Sequence, residues 1–138
     1  MSHAEYEKSF ELDMSATGIA TNRFCRERTE LDAKAVNEIA PILLIEVCDL
    51  SFHALVIDMS HVSYVNSAFL AMVMSLRKLV EQKRPTLAMC SISSYCQKVV
   101  KAAGFEMFLK IYDSVEQAHR ALWSRFSLIK AWTKKDNR

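Results

Sequence analysis

The sequence predicts an α/β domain on a mainly parallel sheet of about four or five strands, with four or five helices. Three observations lead there. Short apolar runs of strand character alternate with segments whose apolar residues recur at helical spacing, and strands separated by helices of roughly 10 to 16 residues need crossover connections. The run Ala54 to Ile57, "ALVI", is wholly apolar, as in a strand covered on both faces. The 138 residues are enough for one domain with its own core and too few for two ordinary ones. The expected organisation is a domain over 1–130 and a basic tail over 131–138.

The elements follow in order. "SFELDM", Ser9 to Met14, alternates apolar and polar residues and predicts a strand; Gly18 to Phe24 predicts a second, paired with it as a hairpin across a turn at Ala16 to Gly18. Asp32 is a candidate N-cap for a first helix whose apolar stripe is Val36, Ala40, Leu43 and Val47. Pro41 inside that stripe should bend or divide the helix. Ala54 to Ile57 should be the central strand, ending at Asp58, a turn or cap group for the loop Ser60 to Ser63. From Ser67 to Gln82, Leu70, Val73, Met74, Leu76 or Arg77, and Val80 predict a second helix, stopped by Pro85 after the basic pair Lys83 and Arg84. Thr86 to Ile92 reads as a strand. Ser93 or Ser94 then caps a helix with Cys96, Val99, Val100 and Ala103 inward, and Gly104 supplies a left-handed stop. Phe105 to Tyr112 holds a last short strand. Asp113, with Glu116 three residues on, resembles a capping box for a final helix with Val115, Ala118, Leu122, Phe126 and Ile129 along its stripe.

Composition excludes several functions. The 51% hydrophobic and 25% charged content is that of a soluble globular chain, and no run of about 18 apolar residues suggests a membrane span. The N-terminus lacks the basic start and apolar run of a secretory signal, so a cytoplasmic protein is expected. Cys25, Cys48, Cys90 and Cys96 form no C-x-x-C pair and have no histidine pair nearby at ligand spacing, so they are expected to be buried reduced thiols, with no metal. Two glycines, Gly18 and Gly104, cannot build a phosphate-cradling loop or a dinucleotide fingerprint, and no cofactor is expected. Residues 1–60 carry 5 Lys or Arg against 11 Asp or Glu, a balance of −6; residues 61–138 carry 13 against 5, a balance of +8. The excess gathers at Arg125, Lys130, Lys134, Lys135 and Arg138, which suits a helix C-terminus and a solvated end. Trp132 alone is thin support for a stacking surface there, and direct nucleic-acid binding is not expected.

The informative stretch is "LVIDMSHVSYVNSAFLAMV", Leu55 to Val73. Ser67 opens the second helix, where serine is a good cap, although Asn66 is equally able to cap it. Phe69 falls beside Leu70 and Val73 on an apolar face, which predicts inward packing. His61 follows Ser60 in the turn, but no acid orients it and no oxyanion donors are evident, so it reads as a polar loop residue and an enzyme is not expected. His53 reads as a surface residue and His119 as a helix-face residue. Met72 and Met74 read as core filling.

This stretch resembles the signature of the STAS domain, the fold of bacterial anti-sigma factor antagonists. There a buried strand ends in Asp-Leu-Ser and an Asp-Ser-Ser/Thr-Gly-Leu motif opens the next helix. Asp58, Met59 and Ser60 match the first part; Asn66, Ser67, Ala68, Phe69 and Leu70 occupy the second. "ELDAKAV" is similar to the family's start of the first helix, and "VVKAAGFEMFLKIYDSVEQAHRAL" to its closing helix, strand and helix, so the resemblance spans about Ser9 to Leu122.

The resemblance implies partner switching rather than catalysis. An unphosphorylated antagonist binds an anti-sigma factor or a serine kinase of the switch type, phosphorylation of a motif hydroxyl releases it, and a phosphatase is a further implied partner. A phosphate at a helix N-terminus meets free N–H groups and the positive end of the dipole, so the fold tolerates it while a docked partner does not. The implied acceptor is Ser67, and the implied partner surface is Ser60, His61, Asn66, Ser67, Ala68 and Phe69. This chain has Asn66 for the motif acid, Ala68 for the second hydroxyl and Phe69 for the glycine. Phe69 thus implies either a corner closed to a kinase or an apolar contact for a different partner. The alternative implied role is a phosphorylation-independent scaffold or accessory subunit of a signalling assembly or transporter. Oligomeric state is open.

Overall fold

The computed structural model describes residues 9–83 and 86–136. Strands β1 (Phe10–Met14) and β2 (Ile19–Phe24) form the expected antiparallel hairpin, in register from Phe10 opposite Phe24 to Met14 opposite Ala20. Gly18 belongs to the turn rather than the strand. Its φ of +81° is left-handed, and a Cβ there would come within 2.5 Å of the His53 ring.

After a two-residue strand β3 (Glu30–Leu31), helix α1 runs from Ala33 to Asp49. Asp32 caps it, its carboxylate accepting from the Ala35 N–H at 3.0 Å. Pro41 does not divide α1. The carbonyl that would have accepted from its missing N–H is that of Asn37, on the exposed side of the helix, where it stays open to solvent. Strand β4 (Ala54–Asp58) is central and buried at all five residues, in a sheet ordered β1-β2-β4-β6-β7, with β6 (Thr86–Cys90) and β7 (Lys110–Tyr112). Every pairing except β1 with β2 is parallel. A second sheet, unforeseen in the sequence, pairs β3 with β5 (Tyr64–Val65) in parallel.

Helix α2 (Ser67–Lys83) buries Phe69, Met72, Val73, Leu76 and Val80, a four-three-four spine with Met72 beside it, while Leu70 and Met74 lie half-buried on its flank. Leu76, not Arg77, takes the inner position. Arg77 lies over the Phe108 ring at 4.1 Å and pairs with Glu81 at 3.0 Å. Arg84 and Pro85, expected to close this helix, lie outside the described residues, and nothing is described of the Lys83 side chain.

Strand β6 ends at Cys90, two residues early, because Ser91 turns the chain with a φ of +56°. Helix α3 (Ser94–Ala102) is capped by Ser93, which accepts from the Cys96 N–H at 3.2 Å. It buries Cys96 and Val100; Ala103 is exposed, since it is the C-cap residue where the helix gives way to Gly104 at φ +77°. A 3-10 turn (Phe105–Met107) leads into β7. Helix α4 (Val115–Asp136) carries its cap one residue later than expected. Ser114 Oγ accepts from the Gln117 N–H at 3.1 Å, and Gln117 Oε1 accepts from the Asp113 N–H at 2.7 Å, so Glu116 takes no part. Ala118 and Leu122 are buried; Phe126, Ile129, Lys130, Trp132, Lys134 and Lys135 have side chains outside the described set, as are Arg138 and residues 1–8 altogether.

The result is a three-layer arrangement. Helices α1, α2 and α3 bury one sheet face around Leu55, Ile57, Met89 and Phe69, and α4 covers the other around Val56, Ala88 and Cys90. Two cysteines depart from the expectation of burial: Cys48 is exposed and Cys25 half-buried. Among the described residues no helix is long and apolar enough to cross a membrane.

Candidate functional site

The loop from Met59 to Asn66 leaves the carboxyl end of β4 and delivers the chain to α2. Parallel strands place such loops together at one end of the sheet, where their groups can meet a ligand or partner. This loop is fastened at several points. The Met59 N–H donates to the Cys90 carbonyl at 2.9 Å and its side chain is fully buried. The Ser60 N–H donates to Asp58 Oδ1 at 3.0 Å. The Cys96 thiol contacts the Val62 carbonyl at 3.9 Å. Thr29 O then accepts from the Ser63 N–H at 2.7 Å, the Tyr64 N–H at 3.3 Å and the Ser63 hydroxyl at 3.2 Å. The turn bearing Thr29 is held in its own right, through an ion pair between Arg28 and Glu38 of α1. A polar loop of this length is ordinarily mobile; here the N–H groups of Met59, Ser60, Ser63 and Tyr64 are spent on the fold.

Asp58 does more than hold the turn. It is buried to 4% side-chain exposure, and its second oxygen accepts from Arg23 Nε at 3.0 Å. Arg23 faces it across the β2–β4 register and also reaches Asp13 at 3.1 Å and Glu11 at 3.8 Å on the edge strand. The hydrogen bond to Asp58 raises the Arg23 pKa above its ordinary value, with burial opposing. On the same face, burial pushes the Cys90 thiol up to about 11, and the Asp58 charge adds to it. His119 of α4 meets Thr21 Oγ1 at 2.8 Å, and burial lowers its pKa.

The start of α2 resolves the question of its cap. Asn66 Oδ1 accepts from the Ala68 N–H at 3.0 Å and the Asn66 carbonyl accepts from Leu70, so Asn66 is the N-cap and Ser67 the first helical residue. Ser67 is exposed, and among the described residues no group hydrogen-bonds its hydroxyl. The first turn holds no acid. Ser60 is also exposed, while His61, Asn66 and Ala68 are half-buried. Phe69 is different. At 0% exposure its ring is a core group among the α2 and sheet residues, so it offers no apolar surface to a partner and closes nothing off at the surface.

His61 lines a groove of about 330 Å³ with Glu11, Arg23, Arg26 and Glu27, on the hairpin side of the loop. No hydrogen bond joins it to Ser67 among the described residues. Sequence reasoning missed Arg23, Tyr64 and Tyr95. The two tyrosine rings stack at 5.8 Å and 13° between β5 and the start of α3, exposed by 37% and 49%. Nothing in their local pattern singles them out, because the strand that presents Tyr64 is two residues long.

A family model described as the STAS domain matches residues 11–118. No curated protein matches the sequence. Among solved structures, an anti-sigma-factor antagonist (STAS) domain protein from Planctomyces limnophilus is similar at a TM-score of 0.74 and 20% identity, over 82% of this chain and 97% of its own. The Bacillus protein SpoIIAA, an anti-sigma factor antagonist, is similar in its unphosphorylated form at 0.67 and 18%, over 79% and 91%, and in its phosphorylated form at 0.63 and 18%, over 81% and 97%. The chain also matches 21% of SLC26A9, using 83% of its own length, at 0.63 and 15% identity.

Proposed function

This chain belongs to the STAS domain family, and from that premise we propose that it is a non-enzymatic binding module of bacterial partner-switching signalling, an anti-sigma factor antagonist acting in the cytoplasm. It binds an anti-sigma factor or a switch-type serine kinase through Ser60, His61, Asn66, Ser67 and Ala68, and phosphorylation of Ser67, reversed by a phosphatase, releases the partner. One observation carries the reading: the cap of α2 is Asn66, which leaves the Ser67 hydroxyl exposed and uncommitted. A phosphate of about −1.5 to −2 charge at that first helical position lies near the free N–H groups of the first turn, where no side-chain acid opposes it. The existence of SpoIIAA, to which this chain is similar, in phosphorylated and unphosphorylated forms supports control by phosphorylation.

The test is binding of the purified chain to switch-type kinases and anti-sigma factors of its own cell, with intact-mass measurement of phosphate. Wild type and Ser67→Ala bind, Ser67→Ala takes no phosphate, and Ser67→Asp binds about 10-fold or more weakly. Equal binding by Ser67→Asp, together with protein from native cells that carries no phosphate, refutes the switch. That result would favour the second reading, a phosphorylation-independent scaffold or accessory domain, which Asn66 and Ala68 support because they remove the motif's acid and second hydroxyl.

A further inference from the structure

We infer that Arg23 is a positioning residue for this corner: by gripping one oxygen of the buried Asp58 carboxylate, it keeps the other on the Ser60 N–H and so sets the course of the loop from Met59 to Asn66. The functional consequence rests on the partner-binding reading; the positional claim does not. The two oxygens of Asp58 have separate tasks, Oδ1 on Ser60 at 3.0 Å and Oδ2 on Arg23 Nε at 3.0 Å. A carboxylate bonded only to the N–H two residues ahead is a local turn group, free to rotate about its own χ angles. Arg23 removes that freedom, since the guanidinium is planar and offers its donors in a fixed fork.

The ion pair is not needed to hold β2 against β4. The strands are already parallel partners from Ile19 opposite Ala54 to Arg23 opposite Asp58. What the pair adds is the direction of one carboxylate. The two ends of the guanidinium also differ: Asp58 is 4% exposed, whereas Asp13 and Glu11 are 62% and 67% exposed. The inner contact is the strong one, because exposed pairs are screened by water and salt. Edge-strand carboxylates thus hold the outer end of the arginine, and its inner end orders the loop that leads to Ser67.

The experiment is amide hydrogen exchange, by NMR, of the whole chain. In Arg23→Met the Ser60 amide exchanges about 10-fold faster or more, the loss of one hydrogen bond's protection, while Val100 in α3 changes only with global stability. Arg23→Lys keeps the charge but not the fork and does not restore Ser60. If the lone charge left on Asp58 prevents folding, Arg23→Met with Asp58→Asn removes it and still leaves an amide oxygen for Ser60; that variant folds and again exchanges faster at Ser60. Ser60 protection unchanged in a folded variant, or lost only in proportion to Val100, overturns the inference. With a partner in hand, Arg23→Met lowers affinity about 10-fold. Absence of any Ser67-dependent partner defeats the functional reading alone, and the exchange result still decides the role of Arg23.

Discussion

Replacing Asn66 and Ser67 by alanine, one at a time, separates a helix cap from a candidate phosphate acceptor. Asn66→Ala removes the oxygen that accepts from the Ala68 N–H at 3.0 Å, and no neighbouring acid can take over, since the first turn of α2 has none. The expected cost is about 1 kcal/mol, within a range of roughly 0.5 to 2, and a drop in Tm of roughly 3 to 6 °C for a chain of this size. Ser67→Ala removes an exposed hydroxyl with no hydrogen bond, so its expected change is within about 0.5 kcal/mol. Asn66→Asp keeps the acceptor and adds a negative charge at the positive end of the helix, a gain of about 0.3 to 1 kcal/mol. Urea denaturation with fitted slopes measures all three, and equal slopes show that only native-state stability has changed. If Ser67→Ala costs as much as Asn66→Ala, the Ser67 hydroxyl is part of the cap and the ground for treating it as uncommitted is gone.

Two further predictions concern titratable side chains. His119 is held below its ordinary pKa by burial, with Arg23 adding to that and Glu116 opposing it, so the folded chain resists a proton that the unfolded chain accepts. Its contribution to stability is therefore whole above about pH 6.5 and is lost as the pH falls through the lower folded value. His119→Gln, which can still bond Thr21, should flatten the stability profile between about pH 7 and pH 5; an unaltered profile assigns the dependence elsewhere. At about pH 8 an alkylating reagent should take the exposed Cys48 first and Cys25 more slowly, leaving Cys90 and Cys96 intact until denaturant is added, because both are buried and burial raises their pKa. Modification of Cys90 in the folded protein would show that the end of β6 opens.

The fold was legible where periodicity has room to show itself. The unbroken apolar run of β4 announced a strand covered twice, and the alternation of Ser9 to Met14 announced a strand. Asp32 and Gly104 were readable as chain punctuation because their roles depend on neighbours three or fewer residues away. The pairing of β3 with β5 was not readable: two-residue strands have no period, and their partner lies more than thirty residues off. The inner stripe of α2 was read partly onto its flank, because Leu70 and Met74 are as apolar as Phe69 and Met72, and only packing shows which residues point inward. At the site, the sequence offered Asn66 and Ser67 as rival caps, and a single hydrogen bond decided between them. Arg23 carried no signal at all, since its meaning comes from the register that sets it opposite Asp58.

The burial of Phe69 has a consequence for how this corner can change over evolutionary time. Its ring fills core volume that a glycine would leave empty, so a glycine at this position would open a cavity beneath the corner. The loss would be about 3 to 5 kcal/mol for the ring, and about 1 more for glycine within a helix. That is a large share of the stability of an ordinary domain. Asn66 and Ala68 sit nearer the surface, where substitution leaves the core intact, but Phe69 shares one buried cluster with Met72, Val73 and Leu76. An acid at 66 or a hydroxyl at 68 is therefore open to single substitution, whereas a glycine at 69 is accommodated only if the core around it is rebuilt.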